Sequence, residues 1–361
     1  MPVKSPFEAS IAKPGQGKVV LSLLPPANPS LSTLTYKYPL KLITRHPGFV
    51  PQSASPSASQ PVHLYLLTYG GGLLPGDQID VSITLEPRTR LVVTTPQGST
   101  KIFKTETSPG RTLSDQSRQT LDVRIGREAA LCYLPDPSAP FKNSRYEQIQ
   151  SFTVENTAKD SSRSSLCVLD WVTQGRASRG ENWDFHTWKG KNEVWLMNEP
   201  TAPRISKIEN KKKKLLLRDS LILNDETTSA TVAPAQDQDQ NQANNPAKSL
   251  VRERTSPHGV IGTLILYGPV FEKLSSFLVD KFTSLPRIGA RNWSSSAPAA
   301  VEMPQNYDAH VTFTAARVRA GCVLVKFGAA DFETAKDWLG GILREEGSIT
   351  KEFGEEALFC L

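Results

Sequence analysis

The sequence predicts an all-β protein with two α-helices late in the chain. Apolar and polar residues alternate in about a dozen short segments, and Pro, Gly, Asn or Asp separates many of them. Only two stretches have a helical period. The regular alternation of strands and helices that marks doubly wound nucleotide-binding folds is absent. Periodicity alone leaves a sandwich, a barrel and a stacked β-coil as alternatives.

The clearest strand is the segment QIDVSITLE, which places Ile79, Val81 and Ile83 on one face and polar residues on the other. The other β-rich segments are QTLDVRIG, RLVVTT, ALCYLP, LCVLDWV, EVWLMN, KLLLRDSLIL, VIGTLILY, HVTFTAARV and CVLVKF. These segments account for a dozen or more strands.

Two amphipathic stretches predict helices. In PVFEKLSSFLVDKF, the apolar residues Phe271, Leu274, Leu278 and Phe282 form one stripe, and Pro269 stands near the start. In DFETAKDWLGGILREE, apolar residues recur at the same spacing. Its first residue, an aspartate, is a suitable N-cap, and the two glycines weaken the helix by about 1 kcal/mol each.

The chain is long enough for a large core, since 38% of its 361 residues are hydrophobic. It contains no run of about 18 apolar residues, and its first residues do not form a secretory signal. We therefore expect a soluble, cytoplasmic protein. Segments 51–60, 224–249 and 294–306 are polar and poor in large apolar residues. We expect them to be disordered insertions in one domain spanning residues 1–361.

Charge and cysteine content exclude some classes of protein. The net charge is +6, and part of the excess lies in Lys211–Lys214. This run is either a nucleic-acid contact or a solvated loop before a strand, and the lack of interleaved aromatics favours the loop. The cysteines are too scattered for a zinc site or a disulfide framework, and we expect buried free thiols: Cys132, Cys167, Cys322 and Cys360.

Three consecutive glycines, Gly70 to Gly72, raise the question of a phosphate-binding loop. A dinucleotide fingerprint requires a third spaced glycine and a following helix, but Pro75 occupies that position and an alternating strand follows. A P-loop motif is also absent. We therefore expect the glycines to provide positive φ and close backbone approach between strands.

The segment from Thr68 to Thr105 resembles the signature of the urease accessory proteins called UreD or UreH. The matching positions are Gly71, Gly72, Leu73, Gly76, Asp77, Thr94, Thr95, Thr100, Lys101 and Phe103. The segment YLPDPSAPFKNSRYEQ resembles a second family block. A third is matched in LDWVTQGRASRGENW by Gly175, Arg176, Gly180 and Glu181. The chain departs from the family pattern at Pro75, in the polar insertions and in its final residues, GEEALFCL.

The resemblance implies a single, stacked, β-helix-like domain with two helices. It also implies a scaffold or chaperone rather than an enzyme, acting in urease metallocentre assembly and nitrogen metabolism. Such a protein helps to deliver nickel into apo-urease. The implied partners are apo-urease, a UreF-type accessory protein and, through the complex, a UreG-type GTPase, with no nucleic acid or membrane. No tightly bound cofactor is implied, only nickel in transit.

Nickel binding depends on which side chains converge. Ni²⁺ prefers imidazole and thiolate, but none of the five histidines forms an H-x-H or H-x₃-H pair, so we predict no tight standing site. Carboxylates offer weaker sites, and we predict that Asp77 and Glu181 line a hydrated passage, with Asp170 as a weaker third candidate. Hydroxyls of the same motif are further candidates for the passage lining: Thr94, Thr95, Ser99 and Thr100.

Each of these residues also has a purely structural interpretation. Asp77 fits a turn cap after a glycine. Glu181 fits an ion pair with Arg176 or Arg179. Lys101 fits an exposed strand position, and the threonines are ordinary β-formers.

Two other functions remain open at this point. A hydrolase on an all-β scaffold would use two of Asp77, Asp170 and Glu181 as a catalytic pair, about 5 to 10 Å apart in an open cleft. A nucleic-acid binder would use Lys211–Lys214. A serine hydrolase is disfavoured, because the sequence contains no G-x-S-x-G motif.

Overall fold

A computed structural model describes nine ranges of the chain. These are residues 13–45, 59–95, 100–104, 116–156, 163–198, 213–224, 250–285, 310–318 and 321–361. The three predicted insertions lie outside them, apart from three residues at their edges.

The first large sheet has seven strands. In spatial order they are β15 (Lys213–Asn224), β14 (Thr187–Asn198), β12 (Arg145–Asn156), β9 (Ser117–Ile125), β6 (Gln78–Leu85), β1 (Gln16–Leu24) and β2 (Asn28–Tyr36). The five central strands are parallel, and an antiparallel strand closes each end.

The second large sheet has eight strands. Their spatial order is β17 (Val311–Arg317), β18 (Val323–Ala329), β16 (Val260–Tyr267), β13 (Ser165–Thr173), β10 (Ala130–Tyr133), β7 (Arg90–Thr94), β4 (Pro61–Thr68) and β3 (Leu40–Arg45). Four neighbouring strands, β13, β10, β7 and β4, are parallel, and the remaining pairs are antiparallel.

A small third sheet links the two large ones. It contains the two-residue strands β11 (Ala139–Pro140), β8 (Lys101–Ile102) and β5 (Gly72–Leu73), all parallel. From β4 to β12, the chain passes in turn through the eight-stranded, the small and the seven-stranded sheet. Three such circuits bring residues that are distant in sequence side by side.

In the described ranges, four α-helices follow the central strands. They are α1 (Leu250–Thr255), α2 (Glu272–Thr283), α3 (Phe332–Glu346) and α4 (Ser348–Phe353). The two predicted helices, α2 and α3, are confirmed, and Asp331 caps α3 by accepting a hydrogen bond from the Thr334 backbone N–H at 2.8 Å. Within the described ranges, no helix has the length and apolar character needed to span a bilayer.

Two apolar cores divide the molecule into layers. One contains buried side chains of both large sheets, and the other contains the opposite face of the eight-stranded sheet and helices α2 to α4. The side chains of β13 alternate between the two cores: Val168 and Val172 belong to the first, and Leu169 and Trp171 to the second. The predicted β-rich class is confirmed.

Candidate functional site

Two rows of polar side chains break the apolar core between the large sheets. In the seven-stranded sheet, Gln150, Asn192 and Asp219 occupy paired positions on β12, β14 and β15. In the eight-stranded sheet, the paired positions of β13, β16 and β18 hold Asp170, Thr263 and Lys326. We call these six residues, together with the neighbouring Gln148, the polar seam. All except Lys326 are buried.

Hydrogen bonds between the sheets join the two rows. The side-chain amides of Gln148 and Asn192 donate to the two carboxylate oxygens of Asp170, at 2.9 and 2.7 Å. At the outer end, Lys326 Nζ bonds Asp219 Oδ1 at 2.6 Å, and half of the Lys326 side chain is exposed. The seam therefore runs from a buried carboxylate to an ion pair at the surface.

Asp170 has an unusual titration for an aspartate. Burial raises its pKa from 3.8 to about 6, because desolvation penalises the charged form. The hydrogen bonds from Asn192 and Gln148 act in the opposite direction, and the nearby charges of Asp219 and Lys326 oppose each other. Neutral amide donors thus offset only part of the cost of burying this charge.

A small cavity adjoins Asp170 at the inner end of the seam. Its volume is about 20 Å³, which provides room for roughly one water molecule. Thr95, Thr100, Tyr133 and Asp136 contribute polar atoms to its wall. Burial and the Asp170 charge raise the pKa of Tyr133, so its hydroxyl stays protonated.

Two buried oxygens of the seam lack a partner among the described residues. They are Gln150 Oε1 and Asn192 Oδ1, and each belongs to a side chain that is 1% exposed. Unpaired buried acceptors are rare and costly, so they call for an explanation. Amide and carboxylate oxygens, such as these two and those of Asp170, are of the type that holds hydrated divalent cations weakly.

The structure places Asp77 in a tight turn. Its Oδ2 accepts a hydrogen bond from the Leu74 backbone N–H at 2.8 Å, and its own N–H donates to the Leu74 carbonyl at 3.0 Å. Gly76, directly before it, has a φ of 84°. This is the turn-cap interpretation, and the proposed metal contact of Asp77 stays a prediction.

Glu181 is paired with Arg176. Burial opposes its ionisation, but hydrogen bonds from the Arg176 guanidinium and from the backbone N–H groups of Arg176 and Lys142 lower its pKa. The guanidinium also stacks over Phe141, 3.8 Å from the ring centroid. The ion-pair interpretation therefore accounts for this residue. Asp170 and Glu181 are both buried, so any two of the three predicted carboxylates include one that does not face an open cleft, and the hydrolase alternative loses its support.

The remaining motif residues have separate positions. Gly71 has a φ of 74°, and a side chain on Gly72 would lie 2.6 Å from the Lys101 carbonyl oxygen, so both expected uses of glycine are present. Lys101 is exposed. Thr95 and Thr100 line the cavity, whereas Thr94 is buried without contributing to its wall. Ser99 lies outside the described residues.

Metal-binding side chains do not cluster in the described ranges. No group of three or more His, Cys, Asp or Glu residues there could hold a metal ion. All four cysteines are free and buried. Burial also lowers the pKa of His63, whose Nε2 lies 3.2 Å from the Phe353 carbonyl oxygen.

Most of the polar seam was missed in the sequence. A signal exists in β12, where Tyr146, Gln148 and Gln150 alternate in phase with the buried Phe152. Polar residues at core-facing positions are unusual and point to an internal site. Asn192, Asp219 and Lys326 carry no local signal, because only strand pairing brings them to Asp170.

The sequence of the chain matches a known family over most of its length. The family described as UreD urease accessory protein matches residues 16–357. An "Uncharacterized urease accessory protein ureD-like" from Schizosaccharomyces pombe is 30% identical over 303 residues, 84% of each chain. "Urease accessory protein 4" from Cryptococcus neoformans is 29% identical over 284 residues, 73% of each chain.

A plant relative shows a higher identity over a shorter span. "Urease accessory protein D" from Arabidopsis thaliana is 37% identical over 183 residues, which are 51% of this chain and 55% of the plant protein. That match spans about half the length of the relative. The family match and the fungal relatives show that the chain belongs to the UreD family of urease accessory proteins, which act in urease maturation.

Proposed function

We propose that this chain is a maturation scaffold that helps to deliver nickel into apo-urease, and that nickel passes along the polar seam. The observation that carries the proposal is the row of polar side chains at paired strand positions between the cavity at Asp170 and the exposed Lys326–Asp219 pair. The family supports the role in urease maturation. Nickel is the cargo here and not a resident cofactor.

The chemistry of the seam suits transit. Nickel is held firmly where several imidazoles or thiolates converge, and a carrier with such a site would release it slowly. Carboxylate and amide oxygens hold the ion more weakly and allow it to keep part of its water shell. The carboxylates of Asp170 and Asp136 both line the cavity at the inner end of the seam, so they attract the cation away from the rim.

The partners and the architecture belong to the same proposal. Apo-urease receives the metal, and a UreF-type protein and a UreG-type GTPase complete the complex in the cytoplasm. GTP hydrolysis belongs to the GTPase, which is consistent with the lack of a P-loop motif in this sequence. We further propose that the three circuits of parallel strands form a β-helix-like stack, supported by the parallel register in all three sheets.

Deletion of the gene tests the scaffold role. We expect the deletion strain to accumulate urease polypeptide with little nickel and little activity, measured by metal analysis of the purified enzyme and by ammonia release. Re-expression of the wild-type chain restores both, and the tagged chain retains apo-urease and the other accessory proteins in a pull-down. Fully nickel-loaded urease in the deletion strain would refute the proposal.

A further inference from the structure

A second cleft lies between the helices and the turns that flank β7 and β10. Its volume is about 520 Å³, and it shares no lining residue with the cavity at Asp170. It is formed by the start of the α2 region, the junction of α3 and α4, Arg90 at the start of β7, the turn residue Glu128, and Arg163 just before β13. This size fits a small organic molecule better than a single ion.

A buried arginine forms part of the wall of this cleft. Arg90 is only 3% exposed, and its Nε donates to Glu352 Oε1 at 2.6 Å. Its Nη1 donates to the backbone carbonyls of Glu128 and Thr89, at 2.5 and 3.3 Å. Nη2 has no hydrogen-bond partner among the described residues. The guanidinium is therefore fixed in place with one donor group left over.

The charged residues that line the cleft are four cationic and three anionic side chains, an excess of one cation: Arg90, Arg163, Lys273 and Lys351 against Glu128, Glu346 and Glu352. Glu352 is neutralised by Arg90, and the carboxylate of Glu346 accepts hydrogen bonds from the backbone N–H and the hydroxyl of Ser348. Lys273 and Lys351 also line the cleft, and their side chains have no ion pair or hydrogen bond with any described residue. The cleft therefore offers an anion two unpaired ammonium groups in its wall, besides the spare donor of Arg90.

The geometry favours phosphate over carboxylate. A carboxylate is best bound by the two-pronged edge of a guanidinium, but the Nε edge of Arg90 is already used by Glu352. Lysines bind phosphate as point charges, and a doubly charged phosphoryl group gains most from two of them. We propose that this cleft binds the phosphoryl group of a small organic phosphate. The proposal is independent of the nickel route.

Ligand titration of the full chain tests this proposal. Calorimetric titrations at constant ionic strength would use ribose 5-phosphate, inorganic phosphate and citrate as separate probes. We expect saturable binding of ribose 5-phosphate, weaker binding of inorganic phosphate and no saturable binding of citrate. The double variant Lys273→Ala/Lys351→Ala should bind ribose 5-phosphate about tenfold more weakly, because it loses two exposed charge contacts.

Lys18→Ala provides the matched control, since Lys18 is an exposed lysine on β1 that does not line the cleft. It should bind like the wild type, and circular dichroism should show that all variants are folded. If the double variant is unfolded, the single variant Lys273→Gln replaces it in the titration. Its expected loss of affinity is smaller than tenfold. The proposal is overturned if no phosphate binds saturably, if the lysine variants bind like the wild type, or if citrate replaces phosphate as the preferred probe.

Discussion

Asp170 and Glu181 have nearly the same exposed fraction, but their pKa values shift in opposite directions. Their exposed fractions are 8% and 7%, yet the pKa of Asp170 is raised to about 6 and that of Glu181 is lowered. Desolvation raises both pKa values and acts more strongly on Asp170, which lies deeper in the protein, so the depth of burial and the partners together make the difference. Two neutral amides face Asp170, whereas a guanidinium faces Glu181. Burial alone therefore does not identify a functional carboxylate, and the charge of its donors must be considered.

The largest expected effect comes from removing the charged partner of Glu181. Arg176→Ala leaves a buried carboxylate with only backbone donors and removes the stack on Phe141. We expect the free energy of unfolding to fall by about 2–4 kcal/mol, in the lower part of the range for broken buried pairs because Arg176 is partly exposed. Urea denaturation at pH 7.5 measures this change.

Arg179→Ala is the matched control for that experiment. Arg179 lies in the same loop, is exposed, and its side chain makes no hydrogen bond or ion pair with the described residues. Its replacement should change stability by less than about 0.5 kcal/mol. Equal effects of the two substitutions would show that the pair does not hold Glu181 in place.

Removing the charge of Asp170 should raise the free energy of unfolding, whereas Arg176→Ala should lower it. In Asp170→Asn the buried charge disappears, and Asn192 can turn its amide so that its unpaired Oδ1 accepts a hydrogen bond from the new side chain. We expect the variant to be more stable than the wild type by about 1–2 kcal/mol at pH 7.5. Urea denaturation again provides the measurement.

The pH dependence of this gain identifies its cause. The folded protein holds the Asp170 proton up to a pH of about 6, whereas the unfolded chain releases it near 3.8. The native state therefore binds more protons between these values, and its stability falls as the pH rises through them. The advantage of Asp170→Asn should shrink to nearly zero at pH 4. An advantage that is independent of pH would refute the electrostatic explanation.

A smaller loss is expected at the predicted passage residue Asp77. Asp77→Ala removes the side-chain acceptor for the Leu74 N–H and should cost about 1 kcal/mol, as for other caps of backbone donors. Asp80→Ala, an exposed position on β6, is the control and should be close to neutral. Thermal unfolding followed by circular dichroism is sufficient to distinguish the stabilities of the two variants.

The sequence predicted local features better than distant contacts. The alternation in QIDVSITLE and the capping aspartate of α3 act over a few residues, so β6, α3 and the Asp331 cap could all be predicted. Helices α1 and α4 have only six residues each, too few to display a helical period, and were missed.

The candidate site shows the same limit. Glu181 and Arg176 are five residues apart, so their pairing could be considered as an alternative from the sequence. Asp170 was named, but as the weakest of the three carboxylates, because its amide partners lie 22 positions away in the chain on either side. Only the paired strands of two different sheets bring them together.

The rate of nickel loading into apo-urease tests the central claim most directly. In a reconstituted mixture of apo-urease, its accessory proteins, GTP and Ni²⁺, the complex containing Asp170→Asn should load nickel about tenfold more slowly than the wild type, which corresponds to about 1.4 kcal/mol. Asp122→Asn, at an exposed position on β9, should load at the wild-type rate. Both complexes must first be shown to assemble fully. If Asp170→Asn assembles and loads nickel as fast as Asp122→Asn, nickel does not pass along the polar seam.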